Sequence, residues 1–402
     1  MKSKVIFYIG NFHYPNGNAA GKRVAGITKI FALLGYHIVI FDTRREDCSG
    51  YNLIELDAKN SNETVTCYSM PYPKSLADWF RTSRLQTELI RKIDEYPKAE
   101  AAVFYGSPRI STFSLPVISH FKRNQVCVVC DVVDWLTVKT KNPVRDIVKK
   151  SDDYYQKAIL NKKFDKSICI SSYLDRLYSS DISNRVVIPP VLADNISSSK
   201  GRVDEVKRLF YAGNPFRNDM KVNDVNAMKD RVDLTIKYLY QLKKEGCDNF
   251  IFDVYGLTVT EIKSSLPYIS AYIDYLGDNI RFNGAVCNDL LVTKLRDSDF
   301  TILFRDEKRD SVAGFPSKVA ESIINGIPVI VSDVGDVNLY LINKKTALIS
   351  KPSDSITQIE TLKEAILMDE GKLTVMKMEC LKDNSFRPEN YVDEMKVFLG
   401  YK

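Results

Sequence analysis

The chain has 402 residues and a formal net charge of +6, from 57 Lys and Arg against 51 Asp and Glu. That length predicts two domains of roughly 200 residues each, and the ordinary apolar and charged content predicts a globular protein with a sizeable core. The mild positive charge suits anionic substrates or a membrane surface. It does not call for nucleic acid, because the cations are dispersed and no recognised binding module is present. No apolar run approaches the roughly 20 residues that a membrane-spanning helix needs.

The N-terminus combines a basic start with a short apolar run. It lacks a long apolar region and a small-residue cleavage site, so we expect a first buried strand there and no signal peptide.

The eight cysteines are scattered, which argues against a secreted disulfide framework and favours a reducing cytoplasm. Cys127 and Cys130 have zinc-like spacing, but they lie in an apolar strand pattern without a second pair. We therefore expect buried thiols and no metal site.

Apolar runs rich in β-branched residues alternate with helical patterns from Lys4 to about Pro190. This alternation predicts βαβ units and a parallel sheet. The predicted strands of this half are 5–9, 37–42, 65–69, 101–105, 126–133, 167–171 and 186–188.

A Gly- and Asn-rich segment, 10–24, follows the first predicted strand and opens a helix predicted over 22–34. It has neither the Gly-x-Gly-x-x-Gly nor the Walker pattern, and no acidic residue of the dinucleotide-binding type follows, which excludes a Rossmann dehydrogenase. Because the segment is long and leaves the carboxyl end of a strand, we interpret it as a functional loop. An ordinary βα turn is the alternative.

The sequence Cys130-Asp-Val-Val-Asp-Trp135 ends a predicted strand with two carboxylates and a tryptophan. If the strand continues, its side-chain period of two places Asp131 and Asp134 on opposite faces; if it breaks, both can reach a binding cleft. A carboxylate can orient or deprotonate a hydroxyl, so Asp134 is a candidate catalytic residue. A polar strand end with a packed tryptophan is the alternative.

The stretch 139–166 carries nine cations and four aspartates, interleaved with apolar and aromatic residues. Such a pattern is typical of a surface that contacts anionic lipid headgroups, and equally of a solvated helix face.

Pro189 and Pro190 then break the alternation of strands and helices. The Ser-, Asn- and Gly-bearing segment 193–204 is interpreted as a linker between domains.

A second α/β pattern follows the linker, and amphipathic helices come after Asp354. The predicted strands of this half are 208–212, 250–255, 280–282, 300–304 and 329–331. We therefore expect the domains 1–190 and 191–385, followed by a terminal segment, 386–402.

The segment 299–333 predicts a strand, a loop, a helix and a strand in turn. Gly314 is expected to allow an unusual backbone turn, Pro316 to occupy the first turn of the helix, and Gly326 to end it. The helix start would lie at the carboxyl end of a parallel strand, where ligands bind in open α/β sheets and where anions are favoured. Arg305 and Lys318 add positive charge nearby.

This segment resembles the donor site of retaining GT-B glycosyltransferases, family four, also called glycosyl transferases group 1. The matching residues are Gly314, Phe315, Pro316, Glu321, Gly326, Pro328, Val329, Ile330, Ser332 and Gly335. The family has a glutamate where this chain has Ala313. The Ala-Gly-Phe-Pro-Ser-Lys variant resembles a bacterial surface-polysaccharide subset of that family.

The resemblance implies two Rossmann-like α/β domains with parallel sheets that face each other across a cleft, and a C-terminal helix that crosses back to the first domain. It implies that Arg217 and Lys221 stabilise the leaving diphosphate, and that Asp134 acts on the acceptor side. It also implies a set of donor-binding residues: Gly17, Asn18, Gly213, Asn214, Arg281, Arg305, Gly314, Phe315, Pro316, Ser317, Lys318 and Glu321. Within this set, Glu321 would hold the nucleotide ribose.

The expected function is transfer of a sugar from a nucleotide-diphosphate donor, of UDP or GDP type, to a hydroxyl of a glycan or lipid-linked acceptor, with retention. No cofactor or metal is expected, and the expected location is the cytoplasm, with peripheral contact to the inner face of the membrane through 139–166. Ala313 leaves a non-catalytic subunit as an alternative. A nucleotide-sugar 2-epimerase is the same-fold rival, but its acid/base carboxylates and histidine have no convincing match.

Overall fold

A computed structural model gives the structure of the protein and divides it into two compact units. Unit 1 comprises Met1–Ala193 and Arg387–Lys402, and unit 2 comprises Asp194–Phe386. The residues that the structure describes are 4–44, 54–56, 65–71, 76–106, 111–134, 147, 150–151, 154–193, 206–216, 222–382 and 384–400.

Unit 1 is built on one sheet whose described strands are parallel, except that Ile54–Leu56 runs antiparallel to Val65–Pro71. Its strands are β1 Val5–Ile9, β2 His37–Arg44, β3 Ile54–Leu56, β4 Val65–Pro71, β5 Ala99–Tyr105, β6 Cys127–Val132, β7 Lys166–Cys169 and β8 Asn184–Val187. They lie in the order β3-β4-β2-β1-β5-β6-β7-β8. Every residue of the central strand β1 is buried, as expected where helices cover both faces of a parallel sheet.

The α-helices described in unit 1 are Ala19–Leu33, Leu76–Asp94, Ser111–Arg123, Ser172–Tyr178 and Val392–Leu399. Short π and 3-10 turns lie at Gln156–Leu160, Asn161–Lys163 and Pro388–Tyr391. The terminal segment joins the core of this unit, because Met395 and Phe398 pack in one cluster with Ile6, Ile27 and Val191.

Unit 2 also has a parallel sheet. Its strands are β9 Lys207–Ala212, β10 Phe250–Tyr255, β11 Ile280–Phe282, β12 Phe300–Leu303, β13 Val329–Ser332 and β14 Ala347–Ser350. They lie in the order β11-β10-β9-β12-β13-β14. The α-helices described are Val232–Lys244, Val259–Ser265, Ser270–Leu276, Asn288–Arg296, Arg309–Ala313, Ser317–Ile324, Val337–Tyr340, Ser355–Ile366 and Glu370–Lys382. Short 3-10 turns lie at Val225–Ala227, Pro267–Ile269 and Gly277–Asn279.

The twelve strands predicted from the apolar runs are all confirmed, with shifts at some ends. Two strands were not predicted: β3, and β14, which forms an edge of the second sheet. The loop expected between the first strand and the helix of the segment 299–333 is wrong in part, because Arg309–Ala313 is helical. Most of the expected linker 193–204 lies outside the described residues. Among the helices that the structure describes, none is long and apolar enough to cross a membrane.

Candidate functional site

The carboxyl ends of β9 and β10 bring two glycines, Gly213 and Gly256, into close contact in unit 2. The Gly213 N–H donates to the Tyr255 carbonyl oxygen at 2.9 Å, and the Gly256 N–H donates to the Gly284 carbonyl oxygen at 2.7 Å. A Cβ at Gly256 would lie only 2.9 Å from the Gly213 oxygen, so glycine is required for this approach. The result is a stretch of backbone without side chains at the edge where ligands bind in open parallel sheets.

The helix Ser317–Ile324 begins at the same edge, after β12. Pro316 lies immediately before the helix, at the N-cap, where we had expected it inside the first turn. At the other end Gly326 has φ +75°; its N–H donates to Ile323 O and the Ile327 N–H donates to Ser322 O. This is the Schellman arrangement, which confirms Gly326 as the residue that ends the helix.

The turn before this helix differs from the expectation. Gly314 has φ −99° and ψ 171°, an extended conformation that any residue adopts, so the expected special turn is wrong. Ala313 is fully buried, and Phe315 is buried against the rings of Tyr340 and Phe386. The packing of Phe315 therefore anchors the start of the helix to the core of unit 2.

Arg305 and Lys318, expected as fixed positive charges, share one buried carboxylate. Asp230 is 4% exposed; its Oδ1 accepts from Arg305 Nε at 2.8 Å and Nη2 at 2.7 Å, and its Oδ2 accepts from Lys318 Nζ at 2.5 Å. Tyr211 donates its hydroxyl to the same Oδ2 at 3.1 Å. Burial alone would raise the pKa of Asp230, but the opposing charges of Arg305 and Lys318 hold it well below its usual range.

Sequence reasoning missed Asp230. It lies just before the helix Val232–Lys244, far from the recognised motif, and nothing in the local pattern Lys-Asp-Arg separates a site residue from an ordinary helix start. The next residue, Arg231, also bonds within this edge: its backbone N–H donates to the Phe304 carbonyl oxygen at 2.8 Å. Its guanidinium pairs with Asp233 at 2.8 Å and with Asp306 at 2.6 Å.

The structure brings Gly213 and Lys318 together, because a Cβ at Gly213 would lie 2.8 Å from Lys318 Nζ. Glu321 is half-buried on the same helix as Lys318. Asn214 is exposed, and its side-chain oxygen accepts from the Phe216 N–H at 2.8 Å. Arg281 is exposed on β11, the edge strand next to β10. Arg217 and Lys221 lie outside the described residues.

The candidate loop of unit 1 uses its asparagine to build the helix that follows. Asn18 is the N-cap of Ala19–Leu33, and its Oδ1 accepts from the Gly21 N–H at 2.7 Å and from the His13 N–H at 3.3 Å. Gly17 is exposed, and its N–H donates to the His13 carbonyl oxygen at 3.1 Å. The helix starts three residues earlier than the predicted Lys22 because this cap lies within the loop.

The two carboxylates after β6 differ in their surroundings. Asp131 is fully buried; it accepts from Arg23 Nη2 at 2.7 Å and from the Tyr8 hydroxyl at 2.6 Å. Burial and the charge of Asp131 raise the pKa of Tyr8 well above its usual value. Asp134 is half-buried and follows the end of the strand at Val132, so strand alternation does not extend to it. Trp135 lies outside the described residues.

The cysteine pair with zinc-like spacing lies in β6, where the apolar pattern predicted a strand. The Cys130 thiol is buried and its pKa is raised well above its usual value, by burial and then by the charge of Asp131. Cys127 is half-buried, and burial raises its pKa as well. Among the described residues, no group of three or more His, Cys, Asp or Glu is arranged to hold a metal ion.

Comparison with solved structures identifies the fold. Sucrose-phosphate synthase from Thermosynechococcus elongatus is 13% identical to this chain, with a TM-score of 0.65 over 98% of each chain. HepE from Anabaena, solved in complex with UDP and glucose, is 11% identical, with a TM-score of 0.62 over 99% of each chain. WaaG, a glycosyltransferase involved in lipopolysaccharide biosynthesis, is 13% identical, with a TM-score of 0.59 over 98% of this chain and 100% of its own. The protein therefore has the α/β GT-B fold of these structures.

Residues 222–367 match a family model, that of the glycosyl transferases group 1. The matched range contains Asp230, Arg305, Lys318 and Glu321, and so most of the candidate site in unit 2. A search of curated protein sequences finds no match to this chain.

Proposed function

We propose that the protein is a glycosyltransferase that transfers a sugar from a nucleotide-diphosphate donor to a hydroxyl of a glycan or lipid-linked acceptor. One observation carries the proposal: the match to the glycosyl transferases group 1 model includes Lys318, a cation that lies beside the side-chain-free backbone of Gly213 in unit 2. Backbone N–H groups and one or two cations are what a diphosphate needs for binding.

The chemistry that this edge would provide is stabilisation of the leaving diphosphate. Lys318 and the N–H groups at the start of the helix Ser317–Ile324 would face negative charge that grows as the bond to the sugar breaks. Arg217 and Lys221 are proposed as further cations for the same group, and Glu321 as the partner of the ribose hydroxyls. Asp134 is proposed on the acceptor side, where a carboxylate can orient a hydroxyl.

Three finer parts of the proposal rest on the resemblance of the motif. These are retention of anomeric configuration, a donor of UDP or GDP type without a metal cofactor, and a role in bacterial polysaccharide synthesis in the cytoplasm. Retention is checked by proton NMR of the first product formed: an α-linked product from an α-linked donor supports it, and a β-linked product contradicts it.

The test of the donor site is calorimetric binding of UDP, GDP, ADP and CMP to the wild type and to Glu321→Ala. We expect one nucleotide to bind, and the variant to bind it about 5- to 150-fold more weakly, the range that corresponds to the loss of a charged hydrogen bond of roughly 1–3 kcal/mol. Glu360→Ala is the matched control, because Glu360 is exposed on another helix of unit 2. Binding of no nucleotide to the folded protein would refute the proposal.

A non-catalytic subunit that binds nucleotide sugar is the second candidate, favoured by the buried Ala313 at the position of the family's first glutamate. Donor turnover separates the two. An enzyme hydrolyses the bound donor slowly even without acceptor, whereas a binding subunit releases it intact. Detection of free nucleotide diphosphate over several hours would therefore exclude the second candidate.

We also propose peripheral contact of the stretch 139–166 with anionic membranes. Two of its described residues support the idea: Ile147 is 65% exposed and Tyr154 is 75% exposed. Leu160 and Phe164 are buried in the core and take no part. Replacing Lys150 and Lys157 by glutamate should weaken binding to vesicles that contain phosphatidylglycerol, with donor hydrolysis intact. Unchanged vesicle binding would contradict the contact.

A further inference from the structure

Asp230 in unit 2 is a buried carboxylate whose two oxygens face different partners. Oδ1 accepts two N–H groups from Arg305, which is itself only 8% exposed. Oδ2 accepts the Tyr211 hydroxyl and the Lys318 ammonium. Two positive charges against one negative charge leave the cluster with one positive charge. Arg305 supplies the fixed counter-charge that allows a carboxylate to be buried here, because a buried ion without a partner is strongly destabilising.

Lys318 is the accessible member of this cluster. Its side chain is partly exposed, whereas those of Asp230 and Arg305 are buried. Its ammonium lies over the ring of Tyr211, 5.3 Å from the centroid, and next to the side-chain-free backbone of Gly213. Asp230, the Tyr211 ring and Gly213 therefore hold the Lys318 ammonium in one position, although the lysine side chain is flexible.

A lysine ammonium has three N–H donors, and the contact with Asp230 uses one of them. The group can keep this bond and still donate to a ligand. A lysine side chain that is free to rotate loses rotamer entropy when a ligand orders it. Holding the ammonium in place before the ligand arrives removes that cost, which is how preorganisation strengthens binding.

We propose that Asp230 is a positioning residue for phosphate binding, which holds the Lys318 ammonium beside Gly213 so that it meets the diphosphate of the donor. The inference rests on the proposed function and extends it to a residue outside the recognised motif. It also assigns Arg305 to the support of Asp230 and not to ligand contact, because two of its N–H groups are bonded to the buried carboxylate.

The test compares a nucleotide with its own nucleoside, since only the nucleotide carries the phosphates. Binding of UDP and uridine is measured by calorimetry for the wild type, Asp230→Asn, Lys318→Met and the double variant; if the wild type prefers GDP or ADP, that nucleotide and its nucleoside replace the pair. We expect each single variant to bind the nucleotide about 10-fold more weakly while nucleoside affinity is unchanged. We expect the double variant to be no weaker than Lys318→Met, because Asp230 acts through Lys318.

Asp299→Asn is the matched control. Asp299 is a half-buried carboxylate at the amino end of β12, paired with Lys377 at 2.9 Å and bonded to the Arg208 N–H at 2.9 Å. Its loss tests a half-buried ion pair of the same unit, at the opposite edge of the sheet. If Asp230→Asn does not fold, as judged by circular dichroism, Asp230→Glu keeps the counter-charge for Arg305 and displaces the carboxylate by one methylene. The same selective loss of nucleotide affinity is then expected.

Two results would overturn the inference while leaving the proposed function intact. One is nucleotide affinity in Asp230→Asn equal to that of the wild type. The other is an equal loss for nucleotide and nucleoside, which would mean that Asp230 only supports the fold. Absence of binding of UDP, GDP and ADP to folded wild type would instead refute the proposed function, and the inference with it.

Discussion

Replacing Arg23 by methionine should destabilise unit 1 strongly. Arg23 is 3% exposed; its guanidinium pairs with Asp131 at 2.7 Å and donates to the carbonyl oxygens of Ile188 at 3.1 Å and Pro189 at 3.3 Å. Methionine keeps much of the apolar stem, but it leaves the Asp131 carboxylate buried without its positive partner, beside the uncharged Tyr8 hydroxyl that donates to it. Breaking a buried ion pair from one side costs about 3–5 kcal/mol, a large part of the stability of a typical domain.

The assay is urea unfolding followed by tryptophan fluorescence. The two tryptophans of the chain, Trp79 and Trp135, both fall within the range 1–193 that unit 1 covers, so their fluorescence is the signal chosen for that unit. With a slope of about 2 kcal/mol per molar urea, the midpoint should fall by about 2 M. Lys122→Met is the control: Lys122 and Asp165 form an exposed pair, whose loss should cost no more than about 1 kcal/mol.

The double variant Arg23→Met with Asp131→Asn completes the test. Removing both charges leaves no unpaired ion in the core, so the double variant should be more stable than the sum of the single losses predicts, by about 2–3 kcal/mol. A midpoint shift for Arg23→Met no larger than that of the control would refute the reasoning. Full additivity of the single losses would refute it as well.

Three further predictions concern other positions. Gly26→Ala should lower the urea midpoint of unit 1, because its Cβ would lie 1.9 Å from the Val191 carbonyl oxygen; an unchanged midpoint would contradict this close packing. Asp354→Ala should speed hydrogen exchange in the helix Ser355–Ile366 through loss of its N-cap, worth about 1 kcal/mol, and unaltered exchange would count against it. Burial lowers the pKa of His37, so the unfolded chain takes up a proton at this residue more readily than the folded protein does. The free energy of unfolding should therefore decline as the pH falls below about 6.5. His37→Gln should therefore flatten the loss of stability between pH 7 and 5, and an unchanged slope would exclude the contribution.

Much of the fold was predictable because the signals are local. Buried parallel strands need continuous apolar runs with β-branched residues, so segments such as Val329–Ser332 are recognisable without a structure. The helix stop at Gly326 was predictable for the same reason, since only its own φ is involved. The antiparallel strand Ile54–Leu56 was not predictable, because three residues carry too little pattern to be distinguished from a loop.

The candidate site also has a part that was predictable from the sequence and a part that was not. The sequence alone determined the segment around Gly314 to Glu321, because its residues are close together in the chain and resemble a known motif. Only the tertiary structure decided what Lys318 and Arg305 do: both bond to Asp230, which is 75 or more residues away from either in sequence. Electrostatic energy depends on distance in space and on burial, and neither can be read from spacing along the chain. For the same reason Arg23, which the sequence placed in a functional loop, proved to be the buried partner of Asp131.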